Sequence, residues 1–231
     1  MKNLFLGLLV VLVMISCSTD EYGNTVEEAS SVSVQAGVSK KLGPANDANP
    51  YDEVGKKYGI WLSDYYQIHG YSNTIQDLAT QVNYMGAKLK APDVFGKSNI
   101  LITEDGISIS INNSETVVTS ILAAGTLSEA AESSLLVFFV SLIQNKEAEY
   151  SLLYDFITTY EAGILDSTNL TSHELETILG ITSVTRYALD AEGGHKDRDW
   201  EISVGNKKTA SGFHPFQASL VSVIVHLHYY L

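Results

Sequence analysis

The sequence predicts a mainly α-helical fold: a single-domain bundle of about six to seven helices, set behind an N-terminal leader and tether. Three observations carry this. After Asn49, apolar residues recur at three-to-four spacing through most of the chain. Helix-start chemistry stands in front of these stretches, as in Asn49-Pro50 and the Thr171/Glu174 pair. Strand periodicity is confined to residues 99–111, where a short β-hairpin and a helix-entry loop are equally compatible with the pattern.

The first element is a leader. Lys2 is followed by an apolar run from Leu4 to Ile15 and by the small residue Ser16, the layout of a secretory signal over residues 1–16. The run is shorter than the ~18 apolar residues that span a bilayer. Cys17, the single cysteine, comes next, so no intramolecular disulfide can form. Residues 14–17, "MISC", resemble a bacterial lipobox, in which the signal is cut before a cysteine that becomes diacylglyceryl-modified. Met14, Ile15 and Ser16 depart from the strict pattern, as lipoproteins of the Bacteroidetes do. The resemblance implies a lipoprotein held in the bilayer by fatty-acyl chains of palmitate type on Cys17. One acyl chain holds only reversibly, at ~0.8 kcal/mol per buried methylene, whereas two or three hold permanently.

Residues 17–48 read as a flexible tether, polar and without a sustained apolar period, ending in "GPANDA". The folded domain is expected over 49–231. "NPYDEVGKKYGIWLSDYYQIHG" begins a helix with Asn49 as N-cap, Pro50 at the first position and acids in the first turn; Gly70 ends it. Its apolar stripe is Tyr51, Val54, Tyr58, Trp61 or Leu62, Tyr65 and Ile68. Further helices are expected over Ser72–Leu89, Ser114–Ala124, Ser128–Gln144 and Glu147–Ala162, with "KAPDVFGK" as a loop after the first of them. The Ser128–Gln144 helix is apolar all round, which predicts a central position. In Glu147–Ala162 the predicted stripe is Ala148, Leu152, Phe156 and Tyr160. Thr171/Glu174 forms a capping box opening a helix to about Ala191, with a kink expected at Gly180. The tail from Pro215 reads as helix, with strand as its rival.

Two segments, "NPYDEVG" and "ITSVTRYALDAEGGHKDRDW", resemble a group of Bacteroidetes lipoproteins of unknown function. The resemblance implies a cell-envelope address and a helical architecture. It carries no activity and no site residues.

Charge bounds the function. The chain carries −13, and −14 once Lys2 leaves with the signal. With two arginines, Arg186 and Arg198, it offers no cationic cluster for nucleic acid. Motifs with a mechanism fail one by one. "GISIS" lacks the second glycine of a nucleophile elbow. "HELET" has Thr177 where a zincin needs its second histidine, so it reads as a charged first turn of a capped helix. "DRDWE" has Ile202 and Lys208 where a calcium loop needs Gly and Glu, so it reads as a solvated acidic loop. His226 and His228 share a face on a strand but not on a helix. No catalytic residue, metal site or cofactor is therefore expected.

The aromatic content is the unusual feature. There are 13 tyrosines, and Tyr51, Tyr58, Trp61, Tyr65, Tyr66 and Tyr71 crowd the first helix and its end. Tyr and Trp give large contact area at low entropic cost. Tyr66, Tyr71 and Trp61 are the candidate binding residues, against the plainer possibility that these rings are core. The expected function is a lipid-anchored, non-catalytic interaction module at the outer membrane, facing the periplasm or the cell surface. Its partners would be the bilayer, through Cys17, and a protein or glycan. The alternative is an envelope hydrolase with a dispersed Asp/Glu/His site.

Overall fold

A computed structural model describes residues 42–89, 103–202 and 214–231, with backbone alone for 194–202 and 215. The leader, Cys17, the tether up to residue 41 and the "KAPDVFGK" loop lie outside what is described. The described residues form eight helices and no strand: α1 (Asp52–His69), α2 (Ile75–Leu89), α3 (Glu104–Asn112), α4 (Ser114–Ala124), α5 (Glu129–Gln144), α6 (Tyr150–Leu165), α7 (Ser172–Ile202) and α8 (Pro215–Tyr230). Among them, no helix is long and apolar enough to cross a membrane. The mainly α-helical bundle is as the sequence predicts.

The centre of the bundle is α7, which packs against α1, α6 and α8. Its middle is buried on every side, from Ile178 to Arg186, including Thr182, Ser183 and Thr185. The apolar α5 was expected there instead. It buries Leu135, Phe138, Phe139 and Leu142 but leaves Val137 61% exposed. Hydropathy favoured α5 because the buried surface of α7 is rich in hydroxyls, which score as polar although those of Thr182, Ser183 and Thr185 are satisfied in place. Thr185 Oγ1, for instance, donates to the Ile181 carbonyl at 2.9 Å.

Residues 104–112 are helical, and no hairpin forms in the described part of 99–111. Thr103 caps α3 by accepting from Gly106 N at 3.0 Å, and Glu104 and Asp105 stand in the first turn. The alternating Ile/Ser run then resolves into a helical face, with Ile107 and Ser110 buried and Ile109 out. The Thr171/Glu174 capping box forms as expected. Thr171 N donates to the Glu174 carboxylate at 2.8 Å, and Glu174 N to Thr171 Oγ1 at 3.2 Å. The same carboxylate accepts from Ser128 N at 2.8 Å, joining the start of α7 to that of α5. These donors hold Glu174 down to about 2. The helix runs on past Ala191 to Ile202, so "DRDWE" is helical backbone rather than loop. The tail is helix as well: His214 caps α8 and Gln217 completes a capping box.

The start of α1 differs from expectation by two residues. Asn49 is not its N-cap. It sits in a preceding turn, buried, where its Oδ1 accepts from Tyr51 N at 2.8 Å and its Nδ2 donates to Glu161 and to the Leu179 carbonyl. Residues 42–48, assigned to the tether by composition, are held against α6 and α7. Pro44 O accepts from Arg186 Nη1, Ala45 O from Tyr154 Oη at 2.7 Å, and Asn46 Nδ2 donates to Glu161 at 2.6 Å. The packed region therefore begins upstream of Asn49.

Candidate functional site: two hollows either side of an N-terminal strap

The site is assembled on α7. Glu161 of α6 and Arg186 of α7 are fully buried and paired, Nε to Oε1 at 3.2 Å. Glu161 Oε1 also accepts from Thr182 Oγ1 at 2.7 Å and Asn49 Nδ2 at 2.8 Å. Arg186 Nη2 reaches the Asp52 carboxylate, whose other oxygen accepts from Tyr187 Oη at 3.1 Å. Burial first, and Asp52 next, push the Tyr187 hydroxyl up to about 12, so it stays a donor. A buried ion pair is tolerable only when its remaining polar valences are met, and here they are. The consequence is geometric: residues 44–52 are pinned across α6 and α7 as a strap. Residues of "NPYDEVG" and of "ITSVTRYALD" meet in this network.

Two glycines let α1 lie close on α7. A Cβ at Gly55 would stand 2.5 Å from the Ser183 carbonyl carbon, and one at Gly59 would stand 2.9 Å from the Tyr187 ring. Gly55 N donates to Ser183 Oγ at 3.1 Å, and that hydroxyl donates onward to the Asp52 carbonyl at 3.0 Å.

On one side of the strap lies an open hollow of about 670 Å³, lined by Pro44, Gly59, Ile60, Tyr66, Tyr71 and Tyr187 among others. Tyr66 and Tyr71 are brought together, ring centroids 4.3 Å apart at 33°. Trp61, the third candidate, does not line it and packs on the main core. On the other side, between α6, α7 and α8, lies a smaller cavity of about 260 Å³, with Leu42, just upstream of the strap, on its wall. Asp190 lines both.

Glu192 joins the two. It lines the smaller cavity, and its Oε1 accepts from the hydroxyl of Tyr66, which lines the larger. Gln81 Nε2 donates to Tyr66 Oη at 3.3 Å, and Ser72 Oγ donates to Gln81 Oε1 at 2.7 Å. Burial raises Glu192 to about 7 despite the hydrogen bonds from Tyr66 and Gln81 that favour its anion. Nearby, His226 and Tyr58 sit edge to face at 5.8 Å, and among the described residues neither His226 nitrogen has a hydrogen-bond partner. Burial lowers His226 to about 4, which keeps it neutral. Among the described residues no group of three or more His, Cys, Asp or Glu is placed to hold a metal ion.

Arg186, Tyr187, Asp190 and Glu192 went unmarked as site residues in the sequence. The available signal was Arg186 itself, a lone charge in the otherwise uncharged run Ile178–Leu189. A charge inside such a run is buried and paired, or the run is not core. Comparison with known protein families, curated proteins and solved structures finds no match to this chain.

Proposed function

We propose that this chain is a lipid-anchored, non-catalytic interaction module of a bacterial outer membrane, held by acylated Cys17 and presenting the Tyr66/Tyr71/Tyr187 hollow to a protein or glycan of the envelope. The observation that carries the binding role is the gathering of those three rings around one concave surface, floored by Gly59 and rimmed by polar side chains. The leader, the lipobox-like "MISC" and the polar residues after it support the anchor and the address. The acidic chain argues against nucleic acid as a partner.

The test is cross-linking in intact envelopes of the producing bacterium, with the full-length protein and its Tyr71→Ala variant. Tyr71 is preferred to Tyr66, whose loss would also strip Glu192 of its donor. Leu152→Ser, on an exposed α6 surface outside the hollow, is the control. At least a tenfold drop in a specific adduct with Tyr71→Ala alone is expected. Equal adducts in all three remove the hollow from the proposal.

A second reading, an envelope hydrolase, is favoured by Glu192: a buried carboxyl near neutrality beside a cavity suits a general acid–base. Its hydrogen-bond partners, Tyr66 and Gln81, orient it without supplying an activated nucleophile. Turnover of ester, glycoside or peptide substrates by the wild type and not by Glu192→Gln would favour this reading over the first.

A further inference from the structure

We infer that the small cavity between α6, α7 and α8 is a binding site for a primary ammonium carrying a short apolar tail. It adjoins the aromatic hollow and shares Asp190 with it, but the inference does not rest on that hollow's role.

Size comes first. A cavity of about 150 Å³ accommodates benzene, or about 25 Å³ per carbon. On that scale 260 Å³ takes about ten non-hydrogen atoms. Leu153, Leu189 and Phe216, all buried, supply the wall for a tail. The polar end is acidic, because the Glu192, Asp190 and Glu149 carboxyls line the cavity. The cationic side chain there is Lys146, which is exposed, and the imidazole of His214 also lines the cavity. The His214 ring is already engaged: Nδ1 accepts from Phe216 N at 3.2 Å, and Nε2 faces Glu147 at 4.0 Å. Among the described residues a carboxylate ligand would find no buried cation there, whereas an ammonium would hold the Glu192 carboxyl as its anion in a low-dielectric wall, where the attraction is strong. An ammonium there also offsets the burial that raises Glu192.

Gly193 is the second, independent observation. It lies inside α7, where glycine costs ~1 kcal/mol relative to alanine. Among the described residues packing does not demand it: a Cβ there would meet none of them within 4 Å. Gly193 lines the cavity, so its missing side chain leaves the space open. The contrast with Gly55 is plain, since there the neighbouring helix forbids a Cβ.

The experiment is isothermal titration of the full chain with octylamine, 1-octanol and octanoate, each of nine or ten non-hydrogen atoms. Octylamine should bind at least tenfold tighter than octanol, and octanoate weaker than either. Glu192→Gln, which keeps the shape, should bring octylamine down to the octanol level and leave octanol unchanged. At pH 6, where Glu192 is largely protonated, octylamine binding should release close to one proton, read from titrations in buffers of different ionisation enthalpy; Glu192→Gln should release none. Gly193→Met should abolish binding of all three while the unfolding midpoint is kept. Equal affinity for amine and alcohol, absence of amine binding, no response to Glu192→Gln, or undiminished binding in Gly193→Met would each overturn the proposal.

Discussion

Glu192 and His226 are two buried groups whose titrations oppose each other. His226, lowered from 6.5 to about 4, is neutral in the fold, so the unfolded chain binds an extra proton as pH falls from 6.5 toward 4. Its contribution is whole above 6.5 and drains away below, by about 3 kcal/mol in total. Glu192, raised from 4.5 to about 7, is protonated in the fold. Its contribution is whole below 4.5 and is lost as pH rises through 7, again by about 3 kcal/mol. Over the shared window, pH 4.5 to 6.5, the two slopes nearly cancel. Single variants should unmask them. Relative to wild type, Glu192→Gln should gain stability steadily as pH is raised from 4.5 to 7. His226→Phe should gain as pH is lowered from 6.5 to 4, and at pH 7 it should be neutral or slightly stabilising, because His226 has no hydrogen bond to lose. Urea titrations at half-unit steps measure both. Parallel pH profiles in wild type and variants would show that neither group is shifted.

At the scale of elements, the α1–α7 crossing is the most specific packing in the fold. Gly55→Ala sets a methyl against the Ser183 backbone, which cannot step aside, so a loss of about 3 kcal/mol or more is expected. Gly59→Ala meets only the Tyr187 ring, which can turn, so about 1 kcal/mol is expected, together with a changed hollow. Equal costs at the two positions, read from denaturant midpoints, would place the crossing elsewhere. The sequence disclosed the helices well, because capping chemistry and period are local. It disclosed which faces are buried less well. In α6 the predicted stripe contained Leu152, which is 61% exposed, while the buried face is Leu153, Ile157, Glu161 and Ile164. The buried face is not legible from apolar spacing because it includes the charged Glu161, whose partner, Arg186, lies 25 residues away on another helix. In α1 the same arithmetic placed Tyr58, Leu62 and Tyr65 correctly and missed at Ile68, which is 70% exposed. Of the candidate site, Tyr66 and Tyr71 were found from aromatic density. Tyr187, Asp190 and Glu192 were not, since only tertiary packing brings α7 beside them.

For the whole molecule, the strap decides where the folded unit begins. A chain starting at Leu42 should match the stability of the full chain. One starting at Asn49 removes the acceptors and donor at Pro44, Ala45 and Asn46 and leaves Arg186 and Glu161 short of partners. At about 1–3 kcal/mol for each buried group left unpaired, it should lose about 3 kcal/mol, visible as a lower thermal midpoint. Identical midpoints would return residues 42–48 to the tether. Upstream of the strap, the proposed function depends on the anchor at Cys17, because an interaction module without its bilayer has no address. Intact-mass spectrometry of the protein extracted from the membrane fraction tests this most directly. The predicted result is a chain that begins at Cys17 and carries two or three fatty-acyl chains, with Cys17→Ala protein either retained as unprocessed precursor or released from the membrane. An unmodified protein in the soluble fraction, or one that still carries residues 1–16 in the wild type, would contradict it.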